Sequence, residues 1–222
     1  MTFADRILKF YKSINIPFEL PDKIEVINPY REKQVTEVCT KFYNKYYNDE
    51  NGRVMILGIN PGRFGAGITG IPFTDPIKLE QNCGIKNNFR KKPELSSDFI
   101  YRLINKMGGP DNFYNHFYIG AVSPLGFLKN GKNFNYYDSR ELSKILKPFI
   151  IKSLAEQIGF GVISTKCYVL GQGKNYDYLK ILNTELKLFS DIVPLPHPRW
   201  VMQYRRKRLD EFLEETIVKL IS

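Results

Sequence analysis

Residues 58–76, GINPGRFGAGITGIPFTDP, form a glycine- and proline-rich stretch that directly follows the apolar run VMIL. An uncharged polar residue, Asn60, stands near its start, and an aromatic residue, Phe73, stands near its end. Because glycine has no side chain, such a stretch lets the backbone come close to a ligand. The stretch is therefore compatible with a loop that surrounds a bound molecule and with a tightly packed turn that binds nothing, and the packed turn is the more common of the two for a loop of this composition.

A dinucleotide-binding loop is one interpretation, because GAGITG (65–70) formally satisfies the pattern G-x-G-x-x-G. That pattern requires its glycines at the turn between a strand and a helix, where the pyrophosphate binds the helix N-terminus. Here the first glycine comes several residues after the strand-like run, and the two prolines of IPFTDP (71–76) oppose a helix after the third. The chain also contains no G-x-x-x-x-G-K-[ST] motif, so a P-loop is excluded.

A second stretch that could do chemistry, LPHPRW (195–200), lies near the other end of the chain, after the apolar run DIVPL. It contains His197, one of only 2 histidines in the sequence. Imidazole is the side chain whose ordinary pKa lies closest to neutral pH. Since both stretches follow strand-like runs, we expect their polar residues to lie on the same rim of a sheet.

The two stretches together resemble the uracil-DNA glycosylase superfamily, and specifically its single-strand-selective monofunctional branch. The first motif of that branch reads approximately N-P-G-P-F-G-M-x-Q-T-G-V-P-F-G, and the second begins approximately H-P-S-P after the last strand. His197-Pro198 matches the start of the second motif. The residues that agree with the first motif are Asn60, Pro61, Gly62, Phe64, Gly65, Thr69, Gly70, Pro72 and Phe73. The close resemblance covers about forty residues of the 222.

The resemblance implies a DNA glycosylase that cleaves a base from deoxyribose through an oxocarbenium-like sugar. Asn60 would hold the attacking water, and His197 would donate a hydrogen bond to the departing base, as an oxyanion hole does. Phe73 would stack on the base, and Gly62 and Phe64 would help to form the base pocket. Each side chain also has a structural interpretation: Asn60 could cap a turn, Phe73 could belong to the core, and His197 could be a structural histidine.

The residues after His197 occupy the place where the family inserts a wedge into DNA. Arg199, Trp200 and Met202 are the candidates for that wedge, and Arg205 and Arg206 are candidates for phosphate contacts. Packing of the indole against the sheet is the alternative for Trp200. The basic stretch KNNFRKK (86–92) is a further candidate for phosphate contacts, although such charge runs are most often solvated loops.

The sequence departs from the family pattern at the position that reads the base. The branch carries an asparagine there, in a context like H-N-x-C-P-L, whereas GAVSPLG (120–126) aligns Ala121 with it. A methyl group cannot form paired hydrogen bonds, so hypoxanthine and xanthine become candidate substrates beside uracil, and Ser123 becomes a candidate base reader. Arg63 also replaces the family's second proline. Asp75 could assist the water or cap a helix, and the cap is the favoured interpretation.

Four strand-like runs alternate with helical periodicity along the rest of the chain. We predict an α/β protein in which a short, mainly parallel four-stranded sheet lies between two helical layers. The predicted strands are 53–59, 116–122, 166–171 and 191–196. The predicted helices are two amphipathic ones at 3–14 and 35–46, followed by 95–107, 139–158 with a kink or restart at Pro148, 176–188 and 201–220.

Composition and charge fit a protein that binds a polyanion. The 222 residues are 43% hydrophobic, and 33 Lys and Arg against 23 Asp and Glu give a net charge of +10. We expect one glycosylase-like domain over 1–222, with 1–50 as a helical segment packed on it. No signal peptide or membrane-spanning run is predicted, which favours an intracellular location: the cytoplasm or nucleoid of a bacterium, or the nucleus of a eukaryote.

The three cysteines are far apart in sequence, so we predict neither a zinc site nor an iron–sulfur cluster, and no metal or other cofactor. The expected partner is DNA that contains a damaged base, and the expected state is a monomer. Two further functions stay open from the sequence: a non-catalytic nucleic-acid-binding domain on the same scaffold, and an α/β enzyme that handles a nucleotide.

Overall fold

A computed structural model of the protein describes residues 1–21 and 23–222. Strands and helices alternate along most of the chain. The strands are β1 Ile24–Ile27, β2 Arg53–Gly58, β3 Phe117–Ala121, β4 Gly126–Lys129, β5 Lys132–Phe134, β6 Val162–Leu170 and β7 Asp191–Leu195. The helices are α1 Phe3–Ser13, α2 Lys33–Tyr46, α3 Ala66–Thr69, α4 Pro76–Gln81, α5 Leu95–Lys106, α6 Pro110–His116, α7 Arg140–Ile158, α8 Lys174–Leu186, α9 Pro198–Tyr204 and α10 Leu209–Ile221.

The central sheet confirms the predicted α/β class. Its four strands lie in the order β3-β2-β6-β7, and every neighbouring pair is parallel. Strand β3 is buried along its whole length, as expected for a parallel strand that is covered by helices on both faces. Because all four strands point the same way, their carboxyl ends meet at one edge of the sheet.

The two N-terminal amphipathic helices form as their apolar spacing predicts. Helix α1 begins with a capping box: the Asp5 backbone N–H donates to Thr2 Oγ1, and the Thr2 backbone N–H donates to Asp5 Oδ2. Its buried face packs with aromatic residues of α2 and the sheet, and the ring of Phe3 stacks on that of Tyr47 with centroids 5.6 Å apart. Apolar residues from both ends of the chain thus join one buried cluster with the sheet.

A small antiparallel sheet, in the order β1-β4-β5, is absent from the sequence prediction. Strands β4 and β5 form a hairpin in which Lys129 pairs with Lys132 around Asn130 and Gly131. Both turn residues have positive φ, 52° and 69°, which is the signature of a type I′ turn. The dipeptide Asn-Gly between LK and KNF was the signal in the sequence for this hairpin.

Two helix predictions need correction. The predicted helix 201–220 is broken into α9 and α10 by a short 3-10 turn at Arg206–Arg208, and the break lets the buried faces of both helices pack. Four consecutive cations at 205–208 occupy the exposed junction, where they lie in solvent. The kink or restart predicted at Pro148 does not end the helix, because α7 runs through it from Arg140 to Ile158.

Candidate active site

A cavity of about 420 Å³ opens beyond the carboxyl ends of β2, β3 and β7. This is the edge of a parallel sheet where ligands bind in α/β proteins. Of the predicted loops, those after β2, β3 and β7 line it, whereas the loop after β6 lines a neighbouring cavity. The polar and aromatic side chains that line the main cavity include Tyr30, Asn60, Phe64, Phe73, Glu94, Asn133, Asn135, Tyr137, His197 and Arg199.

Asn60 lies just past the end of β2 and lines the cavity. Its Nδ2 donates to the carbonyl oxygens of Pro61 and Phe134, each at 3.3 Å. Its Oδ1 accepts from the backbone N–H of Tyr136 at 3.2 Å. Both amide protons are therefore used, whereas the carbonyl oxygen keeps one lone pair for a further donor such as water.

Phe73 lines the cavity from the far end of the same loop. It has φ of 52°, which is unusual for a bulky residue and indicates a position held by its surroundings. Its ring covers the end of β2 so closely that a Cβ on Gly58 would lie 2.7 Å from it. The buried Thr69 hydroxyl donates to the Thr74 carbonyl at 2.6 Å and closes the turn that carries Phe73.

His197 stands at the end of β7, at the residue before α9, and lines both cavities. Burial, with a smaller contribution from the nearby Arg199, lowers the pKa of its imidazole from 6.5 to about 4. The ring is therefore neutral at physiological pH. A neutral imidazole offers one N–H donor, and it does not bring a positive charge into the cavity.

Phe64 and Gly62 also line the cavity, on the loop between Asn60 and α3. The Phe64 ring lies between two cations, with Arg63 at 4.7 Å and Lys92 at 3.6 Å from its centroid. Cation–π contacts of this kind hold side chains in place at modest energy. They connect the glycine-rich loop to the basic stretch 86–92, which is an irregular segment before α5.

Ser123 does not belong to the cavity lining, contrary to the expectation that it helps to form the base pocket. Its side chain is completely buried, and its hydroxyl donates to the Leu125 carbonyl at 2.8 Å, so it is turned into the loop after β3. Ala121 does line the cavity. Its carbonyl accepts from the buried Gln157 side chain at 3.1 Å, which fixes the end of β3.

Asp75 is the N-cap of α4, as the favoured interpretation states. Its Oδ1 accepts from the backbone N–H groups of Ile77 at 2.8 Å and Lys78 at 2.9 Å. Its Oδ2 accepts from the backbone N–H of Glu94 at 3.1 Å. Asp75 is 1% exposed and absent from the cavity lining, so its position is that of a cap and not of a group that holds water.

Glu94 is a cavity residue that the sequence reasoning missed. The pKa of its carboxyl is raised from 4.5 to about 7, mainly by burial and to a smaller extent by the nearby Asp75 carboxylate. The Ser96 hydroxyl, the Ser97 backbone amide and the Arg199 guanidinium oppose it. The sequence KKPELSS contains no motif that predicts a role for Glu94, because only the fold brings the start of α5 to the cavity.

Three further missed residues, Asn133, Asn135 and Tyr137, reach the cavity from β5 and the segment after it. The Asn133 Oδ1 accepts from the backbone N–H of Arg63 at 3.0 Å, and this bond joins the hairpin to the glycine-rich loop. The Asn-Gly turn signal could have predicted the hairpin, but not its position above Asn60.

The proposed wedge and phosphate residues lie on the outer side of His197. Arg199 is exposed and lines the cavity. Trp200 is 40% exposed, and its ring packs edge-on against Phe212, with the Arg205 guanidinium 4.9 Å from its centroid. The indole therefore packs on α10 and not on the sheet.

Met202 is 3% exposed, so it belongs to the core and not to the wedge. Arg206 is exposed in the 3-10 turn. A second cavity of about 340 Å³ shares His197 and Tyr137 with the first, and it extends past Trp200 to the start of α8.

Residues 1–21 and 23–222 contain neither a membrane-spanning helix nor a cluster of metal-ligating side chains. No helix in these ranges has the length and apolar character needed to cross a membrane. No group of three or more His, Cys, Asp or Glu side chains in them is arranged to hold a metal ion.

Both a family model and solved structures match this chain. A model of the uracil DNA glycosylase superfamily matches residues 44–221. Wild-type SMUG2 from Pedobacter heparinus, whose crystal structure is known, is 43% identical to this chain in sequence. The two structures match with a TM-score of 0.96, and the match covers 99% of this chain and 97% of that chain. No curated protein matches the sequence.

Proposed function

Because the chain belongs to the uracil DNA glycosylase superfamily, we propose that it is a monofunctional DNA glycosylase that releases a deaminated base during base excision repair. The proposed substrates are uracil and the deaminated purines hypoxanthine and xanthine. The proposed partner is DNA that carries one of these bases.

The observation that carries the proposal is the convergence of Asn60 and His197, 137 positions apart in the numbering, on one cavity. Loss of a base leaves a sugar with oxocarbenium character, which a water molecule can attack without a strong base. The free lone pair of Asn60 Oδ1 can accept a hydrogen bond from that water and orient it.

His197 supplies the second part of the mechanism. The departing base develops negative charge, and an N–H donor in a site of low dielectric stabilises that charge. Because its lowered pKa, about 4, keeps the imidazole neutral, it acts as a hydrogen-bond donor that needs no prior protonation. A donor of this kind contributes about 3 to 4 kcal/mol, or two to three orders of magnitude in rate.

The cavity also supports a base as the ligand. Its volume of about 420 Å³ is within the range of small-molecule sites, and the Phe73 ring offers a flat apolar wall that can replace lost base stacking. The alanine at position 121 leaves room where the related branch has an asparagine, which favours acceptance of the larger purines beside uracil.

Exposed cations around the cavity support DNA as the macromolecular substrate. Arg63, Lys92, Arg205 and Arg206 are exposed, and none of them forms a salt bridge within the described residues. Each cation that neutralises a phosphate releases counterions, so the affinity for DNA is expected to fall steeply as salt increases.

A panel of oligonucleotides tests the proposal. Single-stranded and double-stranded substrates with one uracil, hypoxanthine or xanthine are incubated with the enzyme, and base release is measured as alkali-labile sites. We expect release from at least one of these bases and a large loss in Asn60→Ala. Absence of release from the whole panel at low and moderate salt would contradict the proposal.

The same experiment separates the rival functions. Salt-dependent DNA binding without base release, unchanged in Asn60→Ala, would indicate a non-catalytic binding domain. Thermal stabilisation by free nucleotides and not by DNA would indicate an enzyme of nucleotide metabolism.

A further inference from the structure

Deaminated bases share one chemical feature, a carbonyl next to a ring N–H. Uracil presents O4 beside N3–H, and hypoxanthine and xanthine present O6 beside N1–H. Cytosine and adenine carry an amino group and an unprotonated ring nitrogen at the same positions, so their pattern of donor and acceptor is reversed. A side chain that offers one donor and one acceptor in a fixed plane can recognise this lactam edge, and a carboxamide is such a group.

The residues expected to read the base cannot form this pair of bonds. Ala121 has no polar side chain, and the Ser123 hydroxyl is committed to Leu125. Asn60 has no free amide proton, because its Nδ2 donates to Pro61 and Phe134. It can hold water with its remaining lone pair, but it cannot donate to a base carbonyl.

The other polar groups of the cavity are also less suitable. The Asn133 Oδ1 accepts from Arg63, so its acceptor is partly used. Glu94, with a pKa of about 7, offers a donor beside its acceptor only when it is protonated, whereas a carboxamide offers both at every pH. Asn135 differs from both, since its side chain lines the cavity and forms no hydrogen bond within residues 1–21 and 23–222.

The backbone around Asn135 is held on both sides by Asn60. The carbonyl before it, that of Phe134, accepts from Asn60 Nδ2, and the N–H after it, that of Tyr136, donates to Asn60 Oδ1. The Asn135 N–H donates to Asp138 Oδ2 at 2.8 Å, and its carbonyl accepts from the Asp138 N–H at 3.0 Å.

The next residue adds a further anchor to this segment. The buried Tyr136 hydroxyl donates to Asn175 Oδ1 at 2.8 Å. The backbone on both sides of Asn135 is thus fixed, while its carboxamide is left free beside the residue that holds the water.

We propose that Asn135 is a specificity-determining residue that reads the lactam edge of the flipped base, a role that rests on the glycosylase function proposed above. Its Nδ2 donates to the base carbonyl, and its Oδ1 accepts from the ring N–H. The carboxamide thus comes from the segment after β5, in place of the asparagine that the related branch carries at the end of β3. Recognition of an edge that uracil, hypoxanthine and xanthine share lets one side chain accept all three and reject cytosine and adenine.

A methylated base tests this role, because a methyl group on the ring nitrogen removes the N–H without changing the sugar. Single-turnover rates are measured for uracil and 3-methyluracil in the same oligonucleotide. We expect the wild-type protein to prefer uracil by about 10- to 100-fold, the discrimination typical of a paired hydrogen-bond contact. In Asn135→Ala the rate on uracil falls by a similar factor and the preference disappears.

Two further variants control the experiment. Asn135→Asp keeps the shape of the side chain and its acceptor but, when ionised, has no donor to the base carbonyl, so it should lower the rate on uracil and keep a preference for uracil over 3-methyluracil. Asn130→Gly changes an exposed asparagine at the tip of the same hairpin to a residue that also suits positive φ, and it should keep the wild-type preference. Thermal unfolding checks that all three variants are folded.

The outcomes distinguish failure of the base-reading role of Asn135 from failure of the glycosylase function. A preference that survives in Asn135→Ala, or a loss of rate on both bases by the same factor, would overturn the role of Asn135 as a reader while leaving the glycosylase function intact. Wild-type protein that releases no base from the uracil, hypoxanthine and xanthine panel would instead remove the proposed function, and this inference with it.

Discussion

The two ends of strand β2 differ in how their polar groups are satisfied. At its start, Arg53 is completely buried and uses every guanidinium N–H. Its Nε donates to the Tyr114 carbonyl at 2.7 Å, and its two terminal nitrogens form a bidentate pair with Asp49 at 2.7 and 2.8 Å. They also donate to the carbonyls of Asn51 and Tyr46.

The other end of strand β2 borders the cavity. Past Gly58 the chain lines the cavity, where Phe73 adopts positive φ. Within the part of the chain that the structure describes, Asn60 Oδ1 there keeps a lone pair and the Asn135 carboxamide forms no hydrogen bond. Buried polar groups with complete partners stabilise a fold, whereas groups left free beside a cavity are available to a ligand. The comparison indicates that the polar groups at the start of β2 stabilise the fold, whereas those at its end are available to a ligand.

The largest effect is expected for His197→Ala, which tests whether the cavity end of the sheet acts on rate and not on stability. Loss of the proposed donor to the departing base should lower the single-turnover rate by about 10²- to 10³-fold and change the free energy of unfolding little. The matched control is His116→Ala, since His116 is exposed at the end of α6, away from the cavity. Equal effects of both substitutions on rate would contradict the assignment of His197.

At the opposite end, Arg53→Met should act on stability instead of rate. Removal of the guanidinium leaves Asp49 and two buried carbonyl groups without donors, which should lower the free energy of unfolding by about 3 kcal/mol. Denaturant titration measures this, and the rate per folded molecule should stay near the wild-type value.

The control for Arg53 is Arg102→Met. The Arg102 side chain is 49% exposed in its pair with Asp98, so this change should cost less than about 1 kcal/mol. A large fall in the rate of folded Arg53→Met protein would show that the two ends of the strand are coupled.

Asp75→Ala should have a smaller, mixed effect, because Asp75 caps α4 and also accepts from the backbone of Glu94 at the cavity. We expect a loss of about 1 to 2 kcal/mol in the free energy of unfolding and a moderate fall in rate. The control is Ser139→Ala, which removes the N-cap of α7. The Ser139 hydroxyl accepts from the Leu142 N–H, so its loss should lower the free energy of unfolding without lowering the rate. Identical rates for the two variants would show that the contact with Glu94 does not position the site.

The smallest expected effect concerns pH. The carboxyl of Glu94 has a raised pKa of about 7, so it becomes an anion in the cavity as pH rises through that value. A nearby anion opposes negative charge on the departing base, and the rate should fall by about two- to fivefold. Glu94→Gln should remove this step.

The same Glu94→Gln variant tests His197. Since the pKa of His197 is lowered to about 4, the variant should show no inflection near 6.5, the ordinary histidine value. The stability that His197 contributes follows the sign of a lowered pKa: it is present above pH 6.5 and is lost as pH falls through about 4. An inflection at pH 6.5 in the variant would contradict a buried, neutral imidazole.

Sequence patterns predicted the elements with strong periodicity. The four parallel strands, the two amphipathic N-terminal helices and α5 and α7 lie close to their predicted ranges, because apolar spacing reports directly which face of an element is buried. The single helix predicted over 201–220 is two helices, since periodicity continues across an exposed turn. The antiparallel sheet was missed, because its strands are three or four residues long.

For the candidate site, motifs located Asn60, Phe73 and His197, which all line the cavity. Ser123 was proposed from its neighbourhood in sequence, and the structure turns its hydroxyl into the loop instead. Glu94 and Asn135 carried no motif, since their approach to the cavity depends on helix and hairpin packing between segments distant along the chain.

The sequence by itself determined the family, the order of the four parallel strands and of the strongly periodic helices between them, and the identity of two polar residues at the ends of strands. These follow from local spacing and from short motifs, which are properties of neighbouring residues. Only the tertiary structure decided which groups are free and which are paired, because a hydrogen bond between distant segments is set by packing. It is packing that uses both amide protons of Asn60 and, among residues 1–21 and 23–222, leaves the carboxamide of Asn135 without a hydrogen-bond partner.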